Sequence, residues 1–357
     1  MLTPVFATAT MVLAIATLMP TIRSGAWWIR GLDFPRLQLL VLSIAVLVAQ
    51  MVLQPIDDAW TTAIVVVNAG CVLWQAWWIV PYTRLRRPEV SDAPADARPR
   101  IRLLASNVLM HNRDTAPLVA LVREHRPDVL IAVETDRHWE RALDGLEDLL
   151  PHALRCPLDN LYGMHLYTRL PLHDAKVRYL VEDDIPSMHA TLELDNGQRV
   201  VLHALHPRPP SPTEADSSQD RDAELVLVGR AAREAEHPVI VAGDLNDVAW
   251  SRTTRLFRKV SGLLDPRIGR GMYNTFHARL PGLRWPLDHL FHSRHFTLVG
   301  MRRLPAIGSD HFPILVELAL APGRNRRDAG LSPDAQARTD AQAAVDGADP
   351  NDTAAPR

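Results

Sequence analysis

Three uncharged apolar stretches, Leu2 to Thr21, Leu37 to Gln54 and Ala59 to Val80, restrict what this chain can fold into more than any other feature. Each holds about the 20 residues that a helix needs to cross a ~30 Å hydrocarbon layer. Three such runs in succession favour membrane spans over buried core helices. The third ends in Trp74, Trp77, Trp78 and Tyr82, an aromatic belt suited to an interface. A cleaved signal peptide is disfavoured for the first run, because no basic residue precedes it. Residues 1–83 are therefore expected to form three transmembrane α-helices, with the lipid bilayer as their partner.

The arginines set an expected orientation. Arg23, Arg30 and Arg36 occupy the first loop, the second has Asp57 and Asp58 but no basic residue, and Arg84, Arg86 and Arg87 follow the third run. The positive-inside rule places the first loop and everything after residue 84 in the cytoplasm, giving an integral plasma (inner) membrane protein. Only two cysteines are present, Cys71 and Cys156, so a disulfide-stapled module is excluded.

Beyond the apolar region the composition shifts. Residues 84–99, with their Pro-, Ala- and Asp-rich run PEVSDAPADARP, suggest a linker. From residue 100 to 321, runs of strand length alternate with helical patterns. Strands are expected at Ile101–Ala105, Val129–Val133, Met164–Tyr167, Met188–Leu194, Val200–Leu205, Val239–Ala242 and Ile314–Leu318. Helices are expected at Pro117–Glu124, Trp139–Leu149 and Arg221–Ala235, and Asp195-Asn196-Gly197 is a hairpin signal. The sum is a layered α/β domain. Residues 322–357 have too few apolar side chains to offset their ordering entropy, so a disordered tail is expected.

Polar residues that look out of place fall at the ends of these strands. Asn107 follows the first, Glu134 the second (PDVLIAVE), His206 the fifth (VVLHALHP), and Asp244 and Asn246 the sixth (VIVAGDLN). Asp288 opens a short apolar run (PLDHLF), and Asp310 and His311 precede the last strand (GSDHFPILVEL). Singly, each is an ordinary turn residue or cap. His203 and His206 point to opposite faces of their strand, so at most one joins a site. The full set in this order is improbable by chance.

With those segments, GDLN and SDH above all, residues 100–320 resemble the endonuclease/exonuclease/phosphatase superfamily of DNase I-like fold, in a membrane-anchored bacterial form. The resemblance implies a four-layer α/β sandwich and a Mg²⁺-dependent phosphoester-hydrolysing site along one edge. It implies Asn107, Glu134 and Asp310 as the metal site. By the same resemblance Asp244 positions or deprotonates the attacking water and Asn246 stabilises developing charge. His311, oriented by Asp288, contacts the scissile phosphate, and His206 contacts it from the other side. The Arg284-Trp285-Pro286-Leu287 segment departs from the pattern and bears on substrate contacts. The residue chemistry agrees: oxygen ligands select Mg²⁺ or Mn²⁺, and a His–Asp pair fixes the tautomer of an imidazole working near neutral pH.

The substrate is less constrained. Residues 100–321 hold 27 Arg plus Lys against 29 Asp plus Glu, so no basic stripe for a nucleic-acid backbone stands out. The cluster Arg252, Arg255, Arg258 and Lys259 has the spacing of a solvated helix face, and Arg208, in a Pro-stiffened loop, is a candidate phosphate contact. A phosphodiesterase or phosphatase is the leading expectation, a nuclease the alternative, and a non-catalytic membrane scaffold the answer of a different class. A calcineurin-like metallophosphatase would need further Asn-His and His motifs that do not occur. No protein partner is indicated.

Overall fold

The computed structural model describes residues 2–321 and 330–348. Helices α1 (Thr3–Leu18), α3 (Arg36–Leu53) and α4 (Ala59–Ile79) pack on one another, with a single-turn α2 (Trp27–Arg30) in the first loop. All three long helices are long and apolar enough to cross a membrane. Their burial pattern is inverted relative to a bundle in water. Thr10, Thr17, Ser43, Gln50, Asn68 and Gln75 are buried, while Val5, Met11, Val12, Val41, Val48 and Leu73 are exposed. Asn68 donates to the Ser43 carbonyl at 3.2 Å and Gln75 to Thr17 Oγ1 at 3.1 Å, so polar groups join helices and apolar ones face outward.

The remaining chain forms two sheets. One has the order β10-β11-β1-β2-β4-β3 and the other β5-β6-β7-β8-β9. The strands of the first are β1 (Arg100–Asn107), β2 (Val129–Val133), β3 (His152–Cys156), β4 (Met164–Thr168), β10 (Phe296–Arg303) and β11 (Ile314–Leu320). Those of the second are β5 (Leu172–Arg178), β6 (Ser187–Glu193), β7 (Arg199–Leu205), β8 (Val239–Asp244) and β9 (Asp288–His292). Each sheet has one parallel pair, β1/β2 and β7/β8, and is otherwise antiparallel. The parallel pairs are bridged by helices α5 (Ala116–His125) and α7 (Gln219–Glu234), as a parallel connection requires.

Side-chain alternation builds four layers. Ile101, Leu103, Ala105, Val129, Ile131, Val200, Leu202, Ile240 and Ala242 meet between the sheets. Leu104, Leu130 and Ala132 point the other way, onto α5 and onto Trp139 and Leu143 of α6 (Arg137–Asp144). Val239, Val241 and Phe291 pack on Leu225 and Val228 of α7 and on Phe257 of α8 (Arg252–Ser261). The four-layer α/β sandwich that the resemblance implies is the fold. Strands β3, β5, β9 and β10 are not among those expected from the sequence; of these only β9 is signalled there, by the short apolar run PLDHLF.

Two stretches depart from expectation. The presumed linker is pinned to the domain: Val90 is fully buried, Glu89 binds Arg258, and Asp92 forms a bridge with Leu298. Within the presumed disordered tail, α9 (Ala335–Gly347) is capped by Asp334 and packs on α7 and α8 through Ala337 and Ala341. Small alanine faces fit between helices without large apolar residues, which a composition argument does not register. Residues 322–329 and 349–357 of that expected tail lie outside the described residues.

The first loop and the end of α4 are also docked on the sheet layers. From the first loop, Trp27 N donates to the Asp216 carbonyl and Trp250 Nε1 donates to the Asp33 carbonyl at 2.9 Å, while after α4 Tyr82 Oη donates to the Ala249 carbonyl at 2.5 Å.

Candidate active site

The period of two along a strand explains why the selected residues meet. Asn107 continues the inward series of Ala105, His206 that of Ala204, and Asp244 that of Ala242, all toward the space between the sheets. Asp288 lies opposite Asp244 in the β8/β9 register, two residues before the inward Leu290. Because β1/β2 and β7/β8 are parallel, their C-terminal ends open at one edge. Glu134 breaks the series, since regular alternation would send it to the helix layer. Its φ of 60° instead turns it to Asn107, a backbone conformation that costs about 1–2 kcal/mol for a residue with a Cβ. Asn246 is held similarly, at φ 51°.

Asn107 is the hub of the cleft. Its Nδ2 donates to Glu134 Oε1 at 2.6 Å and to Asp244 Oδ2 at 3.0 Å, and its Oδ1 accepts from Leu109 N at 3.0 Å. Asp244 Oδ1 accepts from Asn246 N at 3.0 Å. His311 Nδ1 bonds Asp288 Oδ2 at 2.8 Å, and its Nε2 lies 3.5 Å from Asp244 Oδ2. His206 Nε2 is 4.0 Å from the same oxygen. Asp310 is half-buried beside His311, and its charge acts on both His311 and Glu134. Asn246 has its side-chain amide on the Pro207 carbonyl at 3.0 Å, which leaves one amide hydrogen for anything else.

Burial and charge set contrasting protonation states. Burial alone disfavours charged His311, yet the Asp288 and Asp244 carboxylates overcome it and raise the imidazole to about 10. Burial lowers His206 to about 4, so it is a neutral ring. Burial raises Glu134 to about 7, assisted by the Asp244 and Asp310 carboxylates against the pull of Asn107 and His311. Asp244 stays below the ordinary carboxylate range: His311 and His206 outweigh the effect of burial.

Ligand atoms of Asp244, Asp288 and His311 lie within 4.8 Å of one another. A protonated His311 pairs with both carboxylates there and offsets one of their two charges. Glu134 and Asp310, both half-buried, form no ion pair with Lys or Arg among the described residues and could hold a cation. Glu134, raised to about 7 chiefly by burial, and Asp310 offer oxygen donors of the kind a hard divalent ion takes. Asn107, with its amide nitrogen engaged twice, could add only a lone pair of Oδ1.

Supporting groups escaped the sequence reading. Thr275 Oγ1 accepts the backbone N–H of Leu287 at 3.3 Å and of Asp288 at 3.2 Å, and Ser309 Oγ accepts from His311 N at 3.0 Å. The Phe276 ring lies 4.9 Å from that of His311, and Tyr162 lies 5.2 Å from His206. Thr275, Phe276 and Tyr162 sit in irregular segments without period, so only Ser309, inside the SDH context, carried a signal. Two other readings change. Arg208 is held by Glu182 and Asp184 over the Tyr162 ring and is committed to the fold. The α8 cluster is not a solvated face: Arg252 pairs with Asp340, Lys259 with Asp334, and buried Arg258 with Glu89.

Similarity to known proteins bears on this geometry. The model of the Endonuclease/Exonuclease/phosphatase family matches residues 104–311, more than half of the chain. A UPF0294 protein from Vibrio cholerae serotype O1 is 30% identical over 136 residues, which cover 38% of this chain and 45% of that protein. The chain thus matches under half the length of this curated relative. An endonuclease/exonuclease/phosphatase from Beutenbergia cavernae shares the fold at TM-score 0.50 and 18% identity, over 63% of this chain and 72% of that one. TDP2 of D. rerio, complexed with a single-strand DNA product, does so at 0.51 and 16%, over 62% and 99%.

Proposed function

The chain belongs to the endonuclease/exonuclease/phosphatase family, and on that premise we propose that it is a membrane-anchored, Mg²⁺- or Mn²⁺-dependent hydrolase of phosphoester bonds. The observation that carries this reading is the bridging of Glu134 and Asp244 by Asn107, with the His311–Asp288 pair 3.5 Å from Asp244. When bound at Glu134 and Asp310, the cation supplies charge neutralisation for the non-bridging phosphate oxygens.

The protein's own groups do the rest. Asp244, ionised and fixed by Asn107 and the Asn246 backbone, orients a water in line with the phosphorus and accepts its proton. His311, protonated at Nε2 and held at Nδ1 by Asp288, donates a hydrogen bond to a phosphate oxygen and offsets its growing charge while the P–O ester bond breaks and the leaving oxygen takes a proton from solvent. His206, neutral, gives a hydrogen bond from the opposite side, and Asn246 contributes its remaining amide hydrogen.

The three apolar helices with their inverted burial support anchoring in a bacterial inner membrane, and the arginines of the first loop and of residues 84–87 favour a cytoplasmic catalytic domain. A nuclease is the second reading, since the similar TDP2 structure holds DNA product. The engaged state of Arg208, Arg252, Arg258 and Lys259 favours a smaller or surface-confined phosphoester. The test is hydrolysis of bis-p-nitrophenyl phosphate with Mg²⁺ by the full chain and by Asp244→Ala and His311→Ala. Activity surviving both substitutions removes the mechanism, and inactivity on every phosphoester of a nucleic acid, phospholipid and sugar-phosphate panel favours the scaffold.

A further inference from the structure

A cleft of about 970 Å³ separates the end of α4 from the catalytic layers, and its chemistry changes from one end to the other. Leu73 and Trp77, both exposed, and Ala76 line it from within the apolar helix α4. Beyond the helix end stand Arg86, Arg87, Arg255 and Arg258 against one carboxylate, Glu89, so the charged lining carries a net +3. Arg86 and Arg87 are exposed and form no ion pair among the described residues. Arg258 binds Glu89, but its Nε is buried without a partner. Arg255 lies 5.7 Å over the Trp78 ring, whose Nε1 is likewise buried and unpartnered. Apolar walls at the depth of a span and unsatisfied cationic donors at its interfacial end complement one class of molecule.

We propose that this cleft binds one anionic glycerophospholipid, with its phosphate on Arg86, Arg87 and Arg255 and an acyl chain along Leu73 and Trp77. None of the eight residues placed in the catalytic cleft lines it, so the site is distinct from that of hydrolysis. The inference rests on the membrane reading of α4 and is independent of the phosphoester chemistry. The bound lipid would stiffen the seam where Tyr82 bonds Ala249 and Arg258 bonds Glu89, and so fix the height of the catalytic domain above the bilayer.

The experiment uses the full chain in mild detergent, delipidated and incubated with phosphatidylglycerol or phosphatidylcholine, with bound lipid read by native mass spectrometry. One phosphatidylglycerol should be retained, at least about tenfold over phosphatidylcholine, because each interfacial arginine favours an anionic headgroup several-fold. Arg86→Ala with Arg87→Ala should lose about thirtyfold in retention. Ala76→Trp fills the cleft without altering charge or membrane orientation and should abolish retention while leaving bis-p-nitrophenyl phosphate hydrolysis unchanged. Equal retention by wild type and Ala76→Trp, or equal binding of both lipids, overturns the proposal. Release of the wild-type chain from membranes by alkaline carbonate overturns the membrane reading itself. A chain that stays in the pellet yet holds no lipid refutes only the cleft.

Discussion

Replacing Glu134 with Gln should make the protein more stable without a divalent cation and less responsive to one. Burial and the neighbouring Asp244 and Asp310 carboxylates raise Glu134 from an ordinary 4.5 to about 7. Between those two values the folded chain keeps a proton that the unfolded chain has lost. Folding stability therefore falls as pH rises through this window and levels off above pH 7. The gap of about 2.5 pH units, at ~1.36 kcal/mol each, sets a penalty of about 3 kcal/mol at pH 8. Gln keeps the size of the side chain and the acceptor for Asn107 Nδ2, so the variant loses the penalty and keeps the bond. In excess chelator at pH 8, its melting temperature should exceed that of the wild type by up to roughly 6–12 °C, using ~2–4 °C per kcal/mol for a domain of this size. At pH 4.5 the two should coincide. Saturating Mg²⁺ should raise the wild type, by about 3 kcal/mol at a hundred times its dissociation constant, and raise Glu134→Gln much less. The assay is thermal unfolding of the detergent-solubilised full chain at both pH values, with chelator and with Mg²⁺. A variant no more stable than wild type in chelator at pH 8, and shifted equally by Mg²⁺, refutes the reasoning.

Two further substitutions probe other parts of the site. Asp288→Asn keeps the shape beside His311 but removes a carboxylate that holds its imidazole at about 10. It should lower kcat by roughly 10²–10⁴-fold with little change in KM. His311 carries its proton below about pH 10 and loses it above, so the wild-type alkaline limb should lie well above neutrality and move down in this variant. An unmoved limb counts against His311 as the donor. Gly243→Ala forces a Cβ onto a backbone at φ 139° and against the Leu205 carbonyl, and it should cost at least about 2 kcal/mol in chemical denaturation. A loss below about 0.5 kcal/mol means the β7/β8 edge can relax.

The legible part of the site was the part written in strand ends. Asn107, His206 and Asp244 were legible because a period of two, once a strand is recognised, fixes the face on which its terminal residue stands, and Asp288 was legible only as the start of a short apolar run. Glu134 was legible by place in the chain only, since its φ of 60° overrides the alternation that would have turned it away. Thr275, Phe276 and Tyr162 were not legible, because they arrive from irregular segments where no period links neighbours in sequence to neighbours in space. Charge was the least legible. Arg208, Arg252, Arg258 and Lys259 look free in the sequence, yet each is matched by a carboxylate brought from 24 to 169 residues away.

By itself the sequence determined the three long apolar helices, the alternating strands of a layered α/β domain and the carboxylate, amide and imidazole residues that gather in the cleft. These are properties of length, period and donor chemistry, which are local. Tertiary structure alone decided that the 84–99 segment is anchored, that α9 closes over α7 and α8, and that His311 is a cation while His206 is neutral. Protonation and packing depend on which groups share a low-dielectric space, and that sharing exists only once the two sheets have closed on each other.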